Sequence, residues 1–210
     1  MSVIRLLVLG AVRQHGRTHG YQVRNDLEFW GAHEWSNAKP GSIYHALKQM
    51  ARQGLLVAHE TAPSPAGGPP RTEYELTDAG EDAYLEMLRE SLRAHDQRID
   101  LLTAGVGFIV DLPREEAIEL LSERVTALEG WREEVEQHWA PPGNTPAEWG
   151  HIGEVMRLWV HNSRSQAEWT RGLIDRLKGG AYVMADEGER SVDVLPPDMK
   201  NPFAQDALDR

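Results

Sequence analysis

The chain has 210 residues, with 33 Asp and Glu against 22 Lys and Arg, a net charge of −11 and no cysteine. Disulfides and thiolate metal centres are thereby excluded, and no run approaches the roughly 18 apolar residues of a membrane span. The length suits one large domain or two small ones, each with its own core.

The acidity is uneven. Residues 1–80 carry 8 cations against 7 anions, together with His15, His19, His33, His45 and His59, while residues 81–210 hold 14 cations and 26 anions. Such asymmetry points to a division of labour, with a near-neutral N-terminal part free to approach phosphate. The opening apolar run Val3–Val12 is short, is broken by Arg5 and lacks a signal-type cleavage site. The chain therefore reads as soluble and cytoplasmic, with no membrane partner.

Ile4, Leu6, Leu7, Leu9 and Val12 predict an opening helix that ends near His15-Gly16. A second helix is predicted from His19-Gly20-Tyr21, with Tyr21, Val23, Leu27 and Trp30 on its buried side. Tyr21, Trp30 and Trp35 read as core, since aromatic area stabilises most when buried. Residues 31–39 form a turn-rich link. A third helix starts at Pro40, which suits a first turn whose N–H has no partner, and Gly54 suits its stop.

In that third helix Ile43, Ala46, Leu47 and Met50 share one face, and Ser42, Tyr44, His45, Lys48, Gln49 and Arg52 share the other. The polar face has two readings. It is a solvated surface, or it carries hydroxyl, imidazole, amide and cationic groups into a DNA major groove. Leu55, Leu56 and Val57 then read as extended, Pro63 to Pro70 as a loop, and Thr72, Tyr74 and Leu76 as a strand of period two. Three helices followed by a two-stranded hairpin is the order of a winged helix-turn-helix.

Residues 78–94 predict a further helix. Ile99 to Val110 is an apolar stretch, and Pro113-Arg114-Glu115-Glu116 opens a helix running towards Trp139. Pro141-Pro142-Gly143 ends it. Thr145-Pro146-Ala147-Glu148 reads as a capping box for a last helix, on the order of 50 Å long, that stops at Gly179-Gly180. Trp149, Ile152, Met156, Trp159, Ser163, Gln166, Trp169, Leu173 and Leu177 mark a broad face needing a partner, for which a second copy of the chain is the expected occupant. The expected fold is mainly α: a winged helix-turn-helix over 1–90, an α-helical dimerisation and effector domain over 91–183 with a long C-terminal helix, and a mobile tail over 184–210.

No enzyme constellation is visible, so no catalytic residue and no cofactor is predicted. His15 and His19 have the i,i+4 spacing of metal ligands, but Gly16 interrupts the helix and no third ligand is near, so no metal site is predicted. His33-Glu34 lacks the second histidine of a zinc-protease motif. Glu115-Glu116 and Glu133-Glu134 read as solvated helix faces. Trp131, Trp159 and Trp169 are either dimer core or the lining of a pocket for a small planar effector.

Over about residues 3–90 the chain resembles the PadR family of bacterial transcriptional regulators. The resemblance is carried by Leu6-Leu7-Val8-Leu9-Gly10, His19-Gly20-Tyr21, Trp35, Gly41-Ser42-Ile43-Tyr44, Ala46-Leu47, Gly54-Leu55, Tyr74 and Leu76-Thr77-Asp78-Ala79-Gly80. It implies a homodimer that places two third helices in successive major grooves of an operator, with the wings on flanking backbone. Ser42, Tyr44, His45, Lys48 and Gln49 are then the expected DNA contacts, with Arg71 on the wing. His45 stands where the family usually has proline; it keeps an N–H and adds an imidazole that can meet a base or phosphate. The C-terminal part resembles the larger PadR subfamily through Leu112-Pro113-x-Glu115-Glu116 and Trp169 to Tyr182. The expected function is a homodimeric repressor of double-stranded operator DNA, released or modulated by a small aromatic or lipophilic effector. The alternative is a winged-helix protein-interaction module without sequence-specific DNA binding.

Overall fold

The structure is a computed structural model, and it describes residues 2–36, 38–60, 72–96, 98–139 and 150–188, without the side chains of 138 and 139. These residues form eight α-helices, one short 3-10 turn and three strands. They divide into two compact units, the first built from residues up to Leu88 plus Arg98–Phe108, the second from Arg89–Gln97 and from Ile109 onwards.

The first unit opens with α1 (Val3–His15), whose Leu6, Leu7, Val8, Leu9, Ala11 and Val12 are buried. Strand β1 (Arg17–His19) follows, then α2 (Gly20–Phe29) and a single turn, α3 (Ala32–Trp35). Helix α4 (Pro40–Arg52) buries Ile43, Ala46, Leu47 and Met50, the four residues whose spacing predicts its inner face. Strands β2 (Leu56–Glu60) and β3 (Thr72–Leu76) make the wing, and α5 (Asp78–Arg93) begins in this unit.

The sheet has order β1-β3-β2, all antiparallel, with β1 paired from Arg17 with Glu75 to His19 with Glu73. The two-stranded wing is present as expected, and β1 extends it to a three-stranded sheet. Its extra strand is three residues long, too short to show a period of two. The proline-rich wing loop lies outside the described residues.

Residues 98–108 also belong to the first unit, although the sequence reading assigns them to the second domain. Helix α6 (Ile99–Gly107) ends at Phe108, whose ring meets Trp30 edge-on at 5.6 Å and Tyr84 at 5.8 Å. A Cβ on Gly10 would lie 2.4 Å from Phe108 Cζ, so the glycine in α1 is what admits the ring. Arg13 lies over the other partner, Tyr84, at 5.4 Å and is paired with Glu81 at 2.8 Å.

The second unit is dominated by α7 (Arg114–Trp139) and α8 (His151–Lys178), packed along one another. Ser163 donates to the Leu128 carbonyl at 2.9 Å, and the Trp131 and Trp159 rings lie 6.4 Å apart. Arg124 is only 1% exposed, donates to the Ala94 carbonyl beyond the end of α5 and to Gln166, and burial lowers its pKa. The 28 residues of α8 span about 42 Å. The capping box at 145–148 and Trp149 lie outside the described residues.

Two expectations about this unit are corrected. The sequence pattern assigns Ser163, Leu173 and Leu177 to a face awaiting a second chain, but they are buried within this one, where α7 packs along α8. The first residues of the expected mobile tail are held in place. Met184 is fully buried, Ala185 donates its N–H to the Leu112 carbonyl, and Arg114 binds Glu187 and the carbonyls of Leu177, Ala181 and Tyr182. That guanidinium holds the Glu187 carboxyl at a pKa of about 2, and Tyr182, whose carbonyl it binds, has a left-handed backbone conformation, φ 65°.

Candidate nucleic-acid interface

Helix α4 is positioned by its buried face against α1, α2 and β2. That face uses Ile43, Ala46, Leu47 and Met50, so helical geometry turns Tyr44, His45, Lys48, Gln49 and Arg52 outwards, and all five are exposed. No carboxylate occurs anywhere from Trp35 to His59, in a chain that has 33 of them. The outer face of α4 therefore carries Lys48, Arg52 and neutral hydrogen-bonding groups, unopposed by any acid on its own helix. A helix of about 10–12 Å diameter matches a major groove about 12 Å wide, where such groups meet base edges and flanking phosphates.

The expected contact residues are not equivalent. His45, Lys48 and Gln49 share an uninterrupted surface on successive turns. Tyr44 is 39% exposed, with its ring laid on the start of α2, where a Cβ on Gly20 would come within 2.9 Å of it. Gly20 thus fixes the direction in which the phenol points. Ser42 does not stand free, because its hydroxyl donates to the Lys39 carbonyl at 2.7 Å within the first turn. Arg71 lies outside the described residues. Arg52, on the same polar face, and Lys39, just before the helix, are also exposed within the acid-free run.

The wing presents mixed charge. On its outer face Arg17 pairs with Glu73 at 2.7 Å, His19 lies 3.4 Å from the same carboxylate, and His59 meets Glu75 at 2.9 Å. His15 pairs with Asp26 at 2.8 Å, so the two histidines of the i,i+4 spacing serve different elements, one at the end of α1 and one on β1. Among the described residues no group of three His, Cys, Asp or Glu is placed to hold a metal. Burial raises the Tyr74 phenol, which lies on the inner face of β3. Tyr21 departs from its expected place in the core and is 60% exposed, while Trp30 and Trp35 are partly buried, Trp35 donating its indole N–H to the Trp30 carbonyl.

In the second unit the rings of Trp131 and Trp159 come together, whereas Trp169 is ten residues, about 15 Å, further along α8 and is 45% exposed. The three therefore do not converge on one cavity. Ile152, Val155 and Leu158 are exposed beside Trp159 in the first turns of α8. Of the paired glutamates, Glu116 is bound by Arg89 at 2.5 Å, and the pair raises the pKa of that guanidinium. No described helix is long and apolar enough to cross a membrane.

Residues 8–86 match the transcriptional regulator PadR-like family. A comparison with curated proteins found no match. Among solved structures, Bacillus subtilis PadR in complex with operator DNA is 20% identical, with 83% of this chain and 99% of that one covered at a TM-score of 0.39. A PadR family transcription regulator from Clostridium difficile is 26% identical over 41% of this chain and 84% of its own, at 0.34. The Vibrio cholerae virulence activator AphA is 18% identical over 85% and 99%, also at 0.34. All three TM-scores lie below 0.5, so the likeness rests on the family match over residues 8–86. Over residues 8–86 the chain is thus similar to the transcriptional regulator PadR-like family.

Proposed function

We propose that the chain is a cytoplasmic, homodimeric repressor that binds double-stranded operator DNA. The observation that carries this reading is α4: an exposed face of imidazole, amide, phenol and two cations, inside a run of sequence without one carboxylate. Tyr44, His45, Lys48 and Gln49 meet bases and phosphates there. Ser42 and Arg71 add backbone contacts, Ser42 by exchanging its bond to the Lys39 carbonyl. Two copies related by a two-fold axis read half-sites about 34 Å apart.

The dimer is supported by Ile152, Val155, Leu158 and Trp159, an apolar strip on α8 that faces water in the single chain. Its spacing of three, three and one residues keeps it on one side of the helix, as a helix-to-helix seam requires. A small aromatic or lipophilic effector at Trp131 and Trp159, with Trp169 as a more distant element, would modulate binding only by preferring one state of the dimer over the other.

The rival is a protein-interaction module on the same fold. It is favoured by the near balance of 8 cations and 7 anions over residues 1–80. A mobility shift with duplex from upstream of the chain's own coding sequence separates the two. The regulator forms a complex that weakens steeply with salt; no salt-sensitive complex at low ionic strength contradicts it.

A further inference from the structure

Tyr21 lies on a helix whose apolar spacing predicts it buried, yet it is the most exposed tyrosine among the described residues of the first unit. Gly20, Val23 and Leu27 turn inwards and Tyr21 turns outwards. The Arg24 guanidinium lies over its ring, 5.6 Å from the centroid. The residue just before it, Gly20, is the one on which the Tyr44 ring of α4 rests. Tyr21 is therefore an exposed side chain one residue along α2 from the point where α2 touches Tyr44 of α4.

The carboxylates of α2 are already engaged. Asp26 is held by His15 at 2.8 Å and Gln22 at 2.9 Å, and Glu28 lies 2.9 Å from Arg24. Neither is a free charge set against an approaching anion. The Arg24 Nε is nevertheless buried without a hydrogen bond, because Glu28 is near it but not aligned with its N–H.

We propose that Tyr21 and Arg24 form a second DNA contact on the sugar–phosphate backbone, beside the groove that α4 enters. This rests on the DNA-binding reading above. Packed helices have axes about 8–10 Å apart, and the major groove is about 12 Å wide, so a side chain on the neighbouring helix meets the rim of the groove rather than its floor. The rim is phosphate. A phenol O–H donates to a phosphate oxygen, and a guanidinium stacked on the same ring supplies the charge with little orientational freedom left to lose. Such contacts fix the register of the reading helix and carry no sequence information themselves.

The test uses full-length protein, a labelled duplex from the upstream region and a random duplex of equal length. Tyr21→Phe removes one hydroxyl and keeps the ring, so folding is spared; it is expected to weaken both complexes by the same factor, about ten-fold. Arg24→Gln is expected to lower the slope of log affinity against log salt by about 0.9 for each phosphate it no longer neutralises. Wild-type affinity of Tyr21→Phe on both duplexes overturns the proposal, as does a weakening confined to the upstream duplex, which would make Tyr21 a base reader. If the wild type itself forms no complex, the regulator reading falls and this one with it.

Discussion

Helices α4 and α8 are both amphipathic, and both keep an outer face that the single chain leaves in water. The faces differ in kind. That of α4 offers imidazole, amide, phenol and cations with no carboxylate, and that of the first turns of α8 offers Ile152, Val155, Leu158 and Trp159. Water costs the first little and the second considerably, at roughly 25 cal/mol for each Å² of apolar surface left exposed. A polar face without acids suits a polyanion, whereas an apolar strip suits another helix. Under the proposed function the first is the contact for DNA and the second the seam between copies.

The largest effect that would break this comparison is expected from Ile152→Asp combined with Leu158→Asp. Two carboxylates on the apolar strip should leave monomers by sedimentation, and operator affinity should fall by more than about 100-fold because both half-sites are no longer read together. A stable dimer would return the strip to the status of scattered surface residues. Lys48→Ala should weaken operator binding by about ten-fold and reduce the salt slope, with the dimer intact by the same measurement. Dissociation would instead assign Lys48 to the seam.

Gly10→Ala sharpens the contrast within the first unit. In a helix the change is favourable by about 0.8–1 kcal/mol, but the added Cβ meets the Phe108 ring at 2.4 Å, and overpacking costs about 1–3 kcal/mol. The clash is expected to win, with a lower melting temperature that Phe108→Leu in the same chain partly restores. The smallest effect concerns Glu187. Its folded pKa of about 2 lies below the ordinary value of 4.5, so its bond to Arg114 stabilises the fold above pH 4.5 and is lost as pH falls towards 2. The melting difference between wild type and Glu187→Gln should therefore be full at about pH 6 and vanish near pH 2.

The winged unit is largely legible in sequence because its signals are local. Pro40 and Gly54 bracket α4, four apolar residues at helical spacing define its inner face, and alternation marks β3. What is not legible depends on residues far apart in the chain. Strand β1 exists because Arg17–His19 pairs with β3, far along the chain at Thr72–Leu76. Phe108 joins the first unit because Gly10, at the opposite end of that unit's sequence, leaves room for its ring. Periodicity places Tyr21 on the inner face of α2, but Gly20, Val23 and Leu27 fill that face. Part of the α8 stripe is buried because α7 is its neighbour, and a helical period says that a face is covered without saying by what. The polar face of α4 has a signal of its own in the absence of acids from 35 to 59, and that signal adds Lys39 to the cations that spacing places there.

That two copies of α4 read one duplex is tested most directly by sedimentation of the full-length protein with a labelled upstream duplex at low ionic strength. Two chains per duplex, released in parallel as salt is raised, are predicted; one chain per duplex, or free DNA at every protein concentration, would contradict it.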